Sequence, residues 1–83
     1  MNLTILTPEK EVFKGAIKSV KVPGTSGQFE ILKGHAAIVS SLSEGIVRVI
    51  SDTGATTKYT IARGFVEVYN DEVSLLVRGL AQE

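Results

Sequence analysis

The chain has 83 residues, with nine lysine and arginine residues against nine aspartate and glutamate residues, so its formal net charge is zero. This balance excludes the basic surface that nucleic-acid binding and attachment to anionic membranes require. Cysteine is absent, which excludes disulfides, thiolate metal ligands and thiol nucleophiles. We expect one small domain over residues 1–83, with a modest core and no direct membrane insertion, because no apolar run approaches about 18 residues.

The chain reads as a series of strands. Valine, isoleucine and threonine together contribute 24 residues, and these β-branched types favour extended backbone over helix. Apolar alternation between turn residues predicts strands at 3–7, 12–15, 17–22, 28–32, 37–42, 46–51, 56–62, 65–69 and 73–78. Strands at this spacing predict an all-β fold, a flattened β-sandwich or barrel of about 8 to 10 short, mostly antiparallel strands.

The strand predicted at 17–22 has an irregular pattern. Ile17 falls on the face opposite Val20 and Val22 if the strand alternates without interruption. An extra residue in one strand of a pair restores the phase. We therefore predict a β-bulge near Lys18 and Ser19.

Two hairpins are predicted from their turn residues. Asn70 and Asp71 separate the strands at 65–69 and 73–78, and both residue types tolerate the left-handed backbone of tight hairpin turns. The second hairpin joins 46–51 to 56–62 through a turn that contains Gly54. The nearly continuous apolar run at 46–50 leaves two explanations open, a thick core or a second subunit over the outer face.

Residues suited to catalysis are scarce. His35 is the only histidine, and Ser26 in Gly24-Thr25-Ser26-Gly27 does not match the nucleophile elbow Gly-x-Ser-x-Gly. The phosphate-binding sequence Gly-x-x-x-x-Gly-Lys-Ser/Thr is also missing, and the carboxylates are scattered over turns. We expect no enzyme activity, no cofactor, no metal and no nucleotide site.

The segment 22–36 carries the most specific pattern in the chain. Pro23 and Gly24 precede a short apolar strand, Gly27 lies at its start, and Gly34 follows it. Proline presets a turn, and glycine accepts the positive φ that other residues resist. The pattern favours a strand held between two tight loops, which is a suitable surface for a protein partner.

The residue order in this segment, Pro-Gly-x-x-Gly-x-x-x-Ile-Leu-x-Gly-His-Ala, resembles the amino-terminal domain of the epsilon subunit of F-type ATP synthases. The resemblance continues through 3–10, 13–15, 45–49 and 64–68, and so extends over the length of the chain. It implies a β-sandwich that serves as a non-catalytic rotor subunit in the central stalk. Such a subunit links gamma to the c ring in a proton- or sodium-translocating synthase and supports torque transmission during ATP synthesis.

The resemblance also implies site residues and a location. It places one group of residues against the c ring, namely Ser26, Gln28 and Glu30. It places a second group toward gamma, namely His35, Ile38 and Ser40. The implied location is peripheral, at the cytoplasmic face of a bacterial inner membrane.

The chain departs from the family pattern at several positions. Glu30 stands where glycine is usual, Lys33 where proline is usual, and Arg63 replaces the first glycine of a Gly-Gly pair. The first two changes are expected to alter the loop shape. Many relatives continue into a pair of carboxy-terminal helices, whereas this sequence stops at Glu83. We expect no carboxy-terminal helical domain, and therefore no self-inhibition by a helical arm.

One alternative comes from a different class of protein. A free-standing β-sandwich that binds peptide or carbohydrate would need an exposed aromatic platform. The five aromatic residues are Phe13, Phe29, Tyr59, Phe65 and Tyr69. Most of them fall where a core would use them, which disfavours this alternative.

Overall fold

The computed structural model describes every residue from Met1 to Glu83 and consists of strands and connecting turns. The strands are β1 (Asn2–Leu6), β2 (Glu11–Gly24), β3 (Gly27–Leu32), β4 (Ile38–Leu42), β5 (Gly45–Ser51), β6 (Thr56–Ile61), β7 (Arg63–Tyr69), β8 (Glu72–Arg78) and β9 (Ala81–Gln82). No helix long and apolar enough to cross a bilayer is formed. The predicted all-β fold is confirmed.

The strands form two layers that share β2. Sheet one contains β4, β7, β8, β1 and the first half of β2, in that order. Sheet two contains β3, the second half of β2, β5, β6 and β9. All neighbours are antiparallel except β1 and β8, which are parallel. Gly24 at the end of β2, in sheet two, also pairs with Leu42 of β4, and this contact joins the edges of the two sheets.

The two strands predicted at 12–15 and 17–22 are in fact one strand, β2, of 14 residues. Gly15 suggested a break, but it pairs with Leu3 of β1 and stays extended. The strand changes partners along its length, from β1 in its first half to β3 and β5 in its second. Because the partner changes, each half of β2 has its own pattern of buried residues. The sequence pattern therefore did not show that β2 is one continuous strand.

The predicted β-bulge in β2 is confirmed. Ile17 pairs with Ser51 of β5 and Ser19 pairs with Ile50, so Lys18 has no partner of its own in that ladder. The extra residue shifts the phase of the strand. As a result Ile17 is buried in the core on the same side as Val20.

A single core lies between the two layers. Its members are apolar side chains that alternate with polar ones along each strand, and each such buried side chain contributes about 1.5–3 kcal/mol. They are Leu3, Ile5, Ile17, Val20, Val22, Ile31, Leu42, Val47, Val49, Tyr59, Ile61, Val66, Val68, Val73, Leu75 and Val77. Both sheets contribute to this set, so neither sheet has a core of its own.

Both predicted hairpins are confirmed. Asn70 and Asp71 form the β7–β8 turn with φ of 54° and 62°, the left-handed values that a two-residue hairpin requires. The β5–β6 turn closes through Gly54, which has a φ of 90° and donates its N–H to the carbonyl of Ser51 at 2.9 Å. The two-residue strand β9 was not predicted, because a segment so short has no period.

Candidate partner-binding surfaces

The β2–β3 turn is anchored by the end of β4. Thr25 donates its backbone N–H to the carbonyl of Ser41 at 3.1 Å, and Ser43 donates to the carbonyl of Pro23 at 2.8 Å. Ser26, which follows the anchored residues Pro23 and Thr25, lies exposed at the tip of the turn. The turn is therefore a defined, polar projection of the sandwich.

Gly24 is required in this turn by close packing. A Cβ on it would lie 2.7 Å from the carbonyl oxygen of Gly27 and 2.9 Å from the ring of Phe29. Gly27 itself has a φ of 123°, which side-chain-bearing residues rarely adopt. The two glycines thus fix the turn that presents Ser26.

The three residues predicted to face the c ring are brought together. Gln28 and Glu30 are exposed on the outer face of β3, two residues apart, and Ser26 lies at the turn just before them. Glu30 lies in regular strand opposite Lys21. β3 is therefore extended with glutamate, instead of glycine, at position 30.

Glu30 belongs to a charged row that crosses sheet two. Its neighbours in the row are Lys21, Arg48 and Lys58, which lie directly opposite one another on β2, β5 and β6. The Oε2 atom of Glu30 lies 3.7 Å from Nη2 of Arg48, and this is the single ion pair in the chain. The outer face of sheet two therefore has a charged centre.

The apolar run at 46–50 is divided between two faces. Val47 and Val49 are buried in the core, whereas Ile46 lies on the outer face with 48% of its surface exposed. The chain thus leaves an apolar side chain uncovered on the outer side of β5. A thick core therefore explains the apolar residues Val47 and Val49 but not Ile46.

The loop that carries His35 is tied to the β7–β8 turn. Gly34, with a φ of 83°, donates its N–H to Oδ1 of Asp71 at 2.7 Å. His35 donates its backbone N–H to the carbonyl of Leu32 at 3.0 Å, and its Nδ1 lies 2.7 Å from the carbonyl of Ala36. The half-buried imidazole is held by its own loop and has no carboxylate partner.

The other two residues predicted to face gamma point inward. Ile38 and Ser40 are half-buried on the same side of β4 as the core residue Leu42. The outward residues of this strand are Val39 and Ser41, and Val39 is 72% exposed. His35, Ile38 and Ser40 therefore share a segment of the chain, while the outer surface of that segment is formed by their neighbours.

Sheet one has an apolar outer face that the sequence analysis missed. Its exposed members are Val39, Phe65, Tyr69 and Leu76, with the half-buried Leu6 beside them. Phe65 lies opposite Leu76, which in turn lies opposite Leu6. We call the set Leu6, Val39, Phe65, Tyr69 and Leu76 the apolar face.

Two shallow grooves lie on the apolar face. One, of about 570 Å³, is lined by residues that include Leu6, Pro8, Phe65 and Leu76. The other, of about 510 Å³, is lined by residues that include Val39 and Tyr69. The signal was present in β7, where Phe65 and Tyr69 share a side with the charged Glu67 and alternate with the buried Val66 and Val68. A charged residue in one of two alternating sets indicates that this set is the outer one.

The five aromatic residues are divided between the core and the apolar face. Tyr59 is buried, and Phe13 and Phe29 pack half-buried against the core, as expected. Phe65 and Tyr69 are 55% and 70% exposed, contrary to a core role. Burial raises the pKa of the Tyr59 hydroxyl above its ordinary value.

Titratable side chains do not converge on a chemical site. No three histidine, aspartate or glutamate side chains gather closely enough to hold a metal ion.

Comparison with known proteins identifies the family of the chain. Residues 1–82 match the family model described as ATP synthase, Delta/Epsilon chain, beta-sandwich domain. The ATP synthase epsilon chain of Campylobacter jejuni is 37% identical over 79 residues, which are 95% of this chain and 61% of that one. The epsilon chain of Chlorobaculum tepidum is 42% identical over 74 residues, 89% of this chain and 84% of that one.

Solved structures have the same fold. A chain in the cryo-EM structure of the Euglena gracilis mitochondrial ATP synthase superposes with a TM-score of 0.90 at 22% identity, covering 96% of this chain and 51% of that one. A chain of the Tetrahymena thermophila mitochondrial ATP synthase, from its central stalk and c ring, gives a TM-score of 0.82 at 16% identity.

The chain spans about 61% of the length of the Campylobacter relative. The family match confirms the resemblance noted in segment 22–36 and agrees with the prediction that the chain is not itself an enzyme. The chain belongs to the family of ATP synthase delta/epsilon chains, of which it has the β-sandwich domain.

Proposed function

We propose that this chain is a non-catalytic rotor subunit of a proton- or sodium-translocating F-type ATP synthase. It sits in the central stalk between gamma and the c ring, peripherally at the cytoplasmic face of a bacterial inner membrane. The observation that carries the proposal is the family match over residues 1–82. The two outer surfaces of the sandwich, which differ in chemistry, support a role as a connector.

The apolar face suits a lasting contact with gamma. Exposed Val39, Phe65, Tyr69 and Leu76 form a surface with aromatic members, and buried aromatic and aliphatic side chains dominate the energy of stable protein interfaces. The loop that carries His35 borders this face at the start of β4. Ile38 and Ser40 support the contact from beneath, while Val39 makes it.

The edge formed by β3 and its turn suits the c ring. Ser26, Gln28 and Glu30 are exposed polar residues on a turn held by backbone hydrogen bonds. Polar interface regions bind through direct and water-mediated hydrogen bonds. A polar contact matches the loops that a membrane ring presents to water.

Transmission of torque follows from the construction of the domain. A connector has to keep its shape while its neighbours exert force on it, and short tight turns on a packed sandwich limit internal motion. We expect neither a nucleotide site nor a catalytic group to take part in this task. Its function is mechanical, and ATP synthesis takes place elsewhere in the complex.

The first experiment tests the partner. The purified chain is mixed with gamma and analysed by size-exclusion chromatography. Co-elution is the expected result. Elution of the chain alone, together with a melting temperature that rises on addition of a saccharide or peptide, would instead support a free-standing binding module.

The second experiment tests the ring-facing residues. Gln28→Lys combined with Glu30→Lys is expected to reduce co-purification of the chain with the c ring while gamma binding persists. The control is Asp52→Lys combined with Ala55→Lys, which makes the same change of formal charge in the exposed β5–β6 turn. Full ring attachment by the first variant would contradict the assignment.

A further inference from the structure

The apolar face carries charges of opposite sign along β7 and β8. At one end Arg63 of β7 lies directly opposite Arg78 of β8, and both are exposed. Four residues along β7 from Arg63, on the same outer side, is Glu67, and Glu72 lies opposite Tyr69 at the far end. Along β7 and β8 the charge therefore changes from positive at one end to negative in the other half of the face. On the same outer side, β2 adds Glu11 opposite Leu6 and Lys14 opposite Thr4.

The four charged side chains of β7 and β8 form no ion pair within the chain. The single ion pair joins Glu30 to Arg48 on the other sheet, and the one polar contact in the group is Nδ2 of Asn2 donating to Oε1 of Glu72 at 3.3 Å. Like charges directly opposite each other on neighbouring strands are destabilising. The Arg63–Arg78 pair is such a case, and no acidic side chain of the chain relieves it.

Arg63 lies outside the hydrophobic core. It is an exposed residue at the first position of β7, where the family pattern has glycine. Together with Arg78 it lines the same groove as Phe65 and Leu76. Glu67 lines the second groove beside Val39 and Tyr69. Each groove thus combines an apolar floor with charge of one sign.

We propose that this arrangement fixes the orientation in which gamma docks. The inference rests on the proposed function and specifies the chemistry of the partner surface. The partner presents an amphipathic segment with acidic residues over Arg63 and Arg78, apolar residues over Phe65 and Leu76, and basic residues over Glu67 and Glu72. The reverse orientation would bring like charges together, which costs affinity and suppresses the wrong docking.

The dimensions of the face limit the partner segment. Arg63 and Glu67 are four strand residues apart, which corresponds to about 13 Å at about 3.3 Å per residue. A helix lying along the strands would span this distance in about nine residues at 1.5 Å per residue. If the partner segment is a helix, its acidic and basic residues are separated by about two and a half turns.

The test reverses the charges along β7 and β8 without changing the net charge of the face. A fourfold variant carries Arg63→Glu, Arg78→Glu, Glu67→Lys and Glu72→Lys, so its net charge equals that of the natural chain. All four positions are exposed, and melting curves establish that the variant folds. We expect its affinity for gamma to fall on the order of tenfold or more, with a loss that shrinks at high salt.

Two further variants separate orientation from net charge. Arg63→Glu with Arg78→Glu is expected to weaken gamma binding, whereas Lys18→Glu with Lys58→Glu, at exposed positions in strands of sheet two, should leave it within about twofold. Equal binding by the fourfold variant and the natural chain would overturn the inference and leave the proposed function intact. Absence of gamma binding by the natural chain would overturn the proposed function itself.

A second copy of the chain is the competing occupant. Two apolar faces related by a twofold axis would also bring each arginine end over a glutamate end. Sedimentation of the natural chain without gamma decides this point. A stable dimer that the Arg63→Glu/Arg78→Glu variant abolishes, with no gamma binding, would replace gamma by a second copy.

Discussion

Gly64 lies where two backbone segments approach more closely than a side chain permits. A Cβ on it would be 2.5 Å from the carbonyl oxygen of Leu76 and 2.8 Å from Cγ1 of Val77. Since one of these neighbours is backbone of the adjacent strand, it has little freedom to yield. Gly64→Ala is expected to lower the free energy of unfolding by about 1–3 kcal/mol, measured by urea denaturation.

Gly15→Ala is the matched control for this substitution. A Cβ on Gly15 would make an ordinary contact, 3.7 Å from the ring of Phe13. Alanine also reduces the freedom of the unfolded chain, so the control should be neutral or stabilising by about 0.4–1 kcal/mol. Equal stability of the two variants would show that the sheet accommodates a methyl group at Gly64.

We predict that Tyr59 makes the folded domain less stable at alkaline pH. Burial raises the pKa of its hydroxyl, so the folded state holds the phenol proton more tightly than the unfolded chain does. The resulting stability is complete below about pH 10 and is lost as the pH rises through the folded value. Urea midpoints measured from neutral to alkaline pH should fall in that window.

Substitution by phenylalanine separates this contribution from other alkaline effects. Tyr59→Phe removes the titrating hydroxyl and should flatten the decline. Tyr69→Phe, at a residue 70% exposed, should leave the decline as it is in the natural chain. A Tyr59→Phe profile parallel to that of the natural chain would contradict the prediction.

For single residues, the feature hardest to predict from the sequence was which side chains of a strand point into the core and which point outward. Ile38 and Ser40 alternate with Val39 and Ser41, and each pair combines one apolar and one small polar residue. A pattern of this kind does not indicate which side faces the core. The position of Leu42 in the core decides it, and this depends on β4 pairing with β7, a strand more than twenty residues further on.

The β7–β8 turn holds a second element in place. Asp71 accepts a hydrogen bond from Gly34 through its side chain and one from Asn2 through its backbone carbonyl. Asp71→Gly retains the left-handed turn, because glycine adopts positive φ freely, but it removes the acceptor for Gly34. Amide exchange at Gly34 should become faster on the order of tenfold, since a hydrogen bond to a charged group is lost.

The same turn supplies the controls. Asp71→Asn keeps a side-chain acceptor and should retain most of the protection at Gly34. The amide of Asn2 bonds to the backbone of Asp71 at 3.0 Å, so its exchange should be unchanged in both variants. Unaltered exchange at Gly34 in Asp71→Gly would mean that the side chain does not hold the loop.

Turn chemistry made the hairpins predictable, whereas pairing made other elements unpredictable. Asn70, Asp71 and Gly54 specify local backbone that needs no information from the rest of the chain. The continuity of β2 and the existence of β9 depend on partners distant in sequence. The family resemblance grouped Ser26, Gln28 and Glu30, which lie together at the β3 edge, while the apolar face required the three-dimensional arrangement.

The whole molecule is predicted to unfold as one unit, because β1 joins the beginning of the chain to its end. This strand lies between β2 and β8, and its residue Ile5 is 1% exposed in the shared core. Ile5→Ala should lower the free energy of unfolding by about 2–5 kcal/mol. Thr4→Ala, at the outward neighbour, should have a much smaller effect.

The denaturant-induced unfolding of Ile5→Ala is followed in both sheets. The near-ultraviolet signal of Tyr59 reports on sheet two, and amide exchange in β7 reports on sheet one. Both should shift to lower denaturant concentration by the same amount in Ile5→Ala, as a two-state transition requires. A shift confined to sheet one would show that the layers unfold independently.

The continuity of β2 has a consequence for how the layers respond to shear. Two stacked sheets joined by side chains alone slide when van der Waals contacts rearrange, but here 14 residues of covalent backbone run from one layer into the other. Sliding would have to stretch this peptide chain or pull its bulge at Lys18 straight. A twisting load that enters through one layer is therefore delivered to the other along a single polypeptide strand.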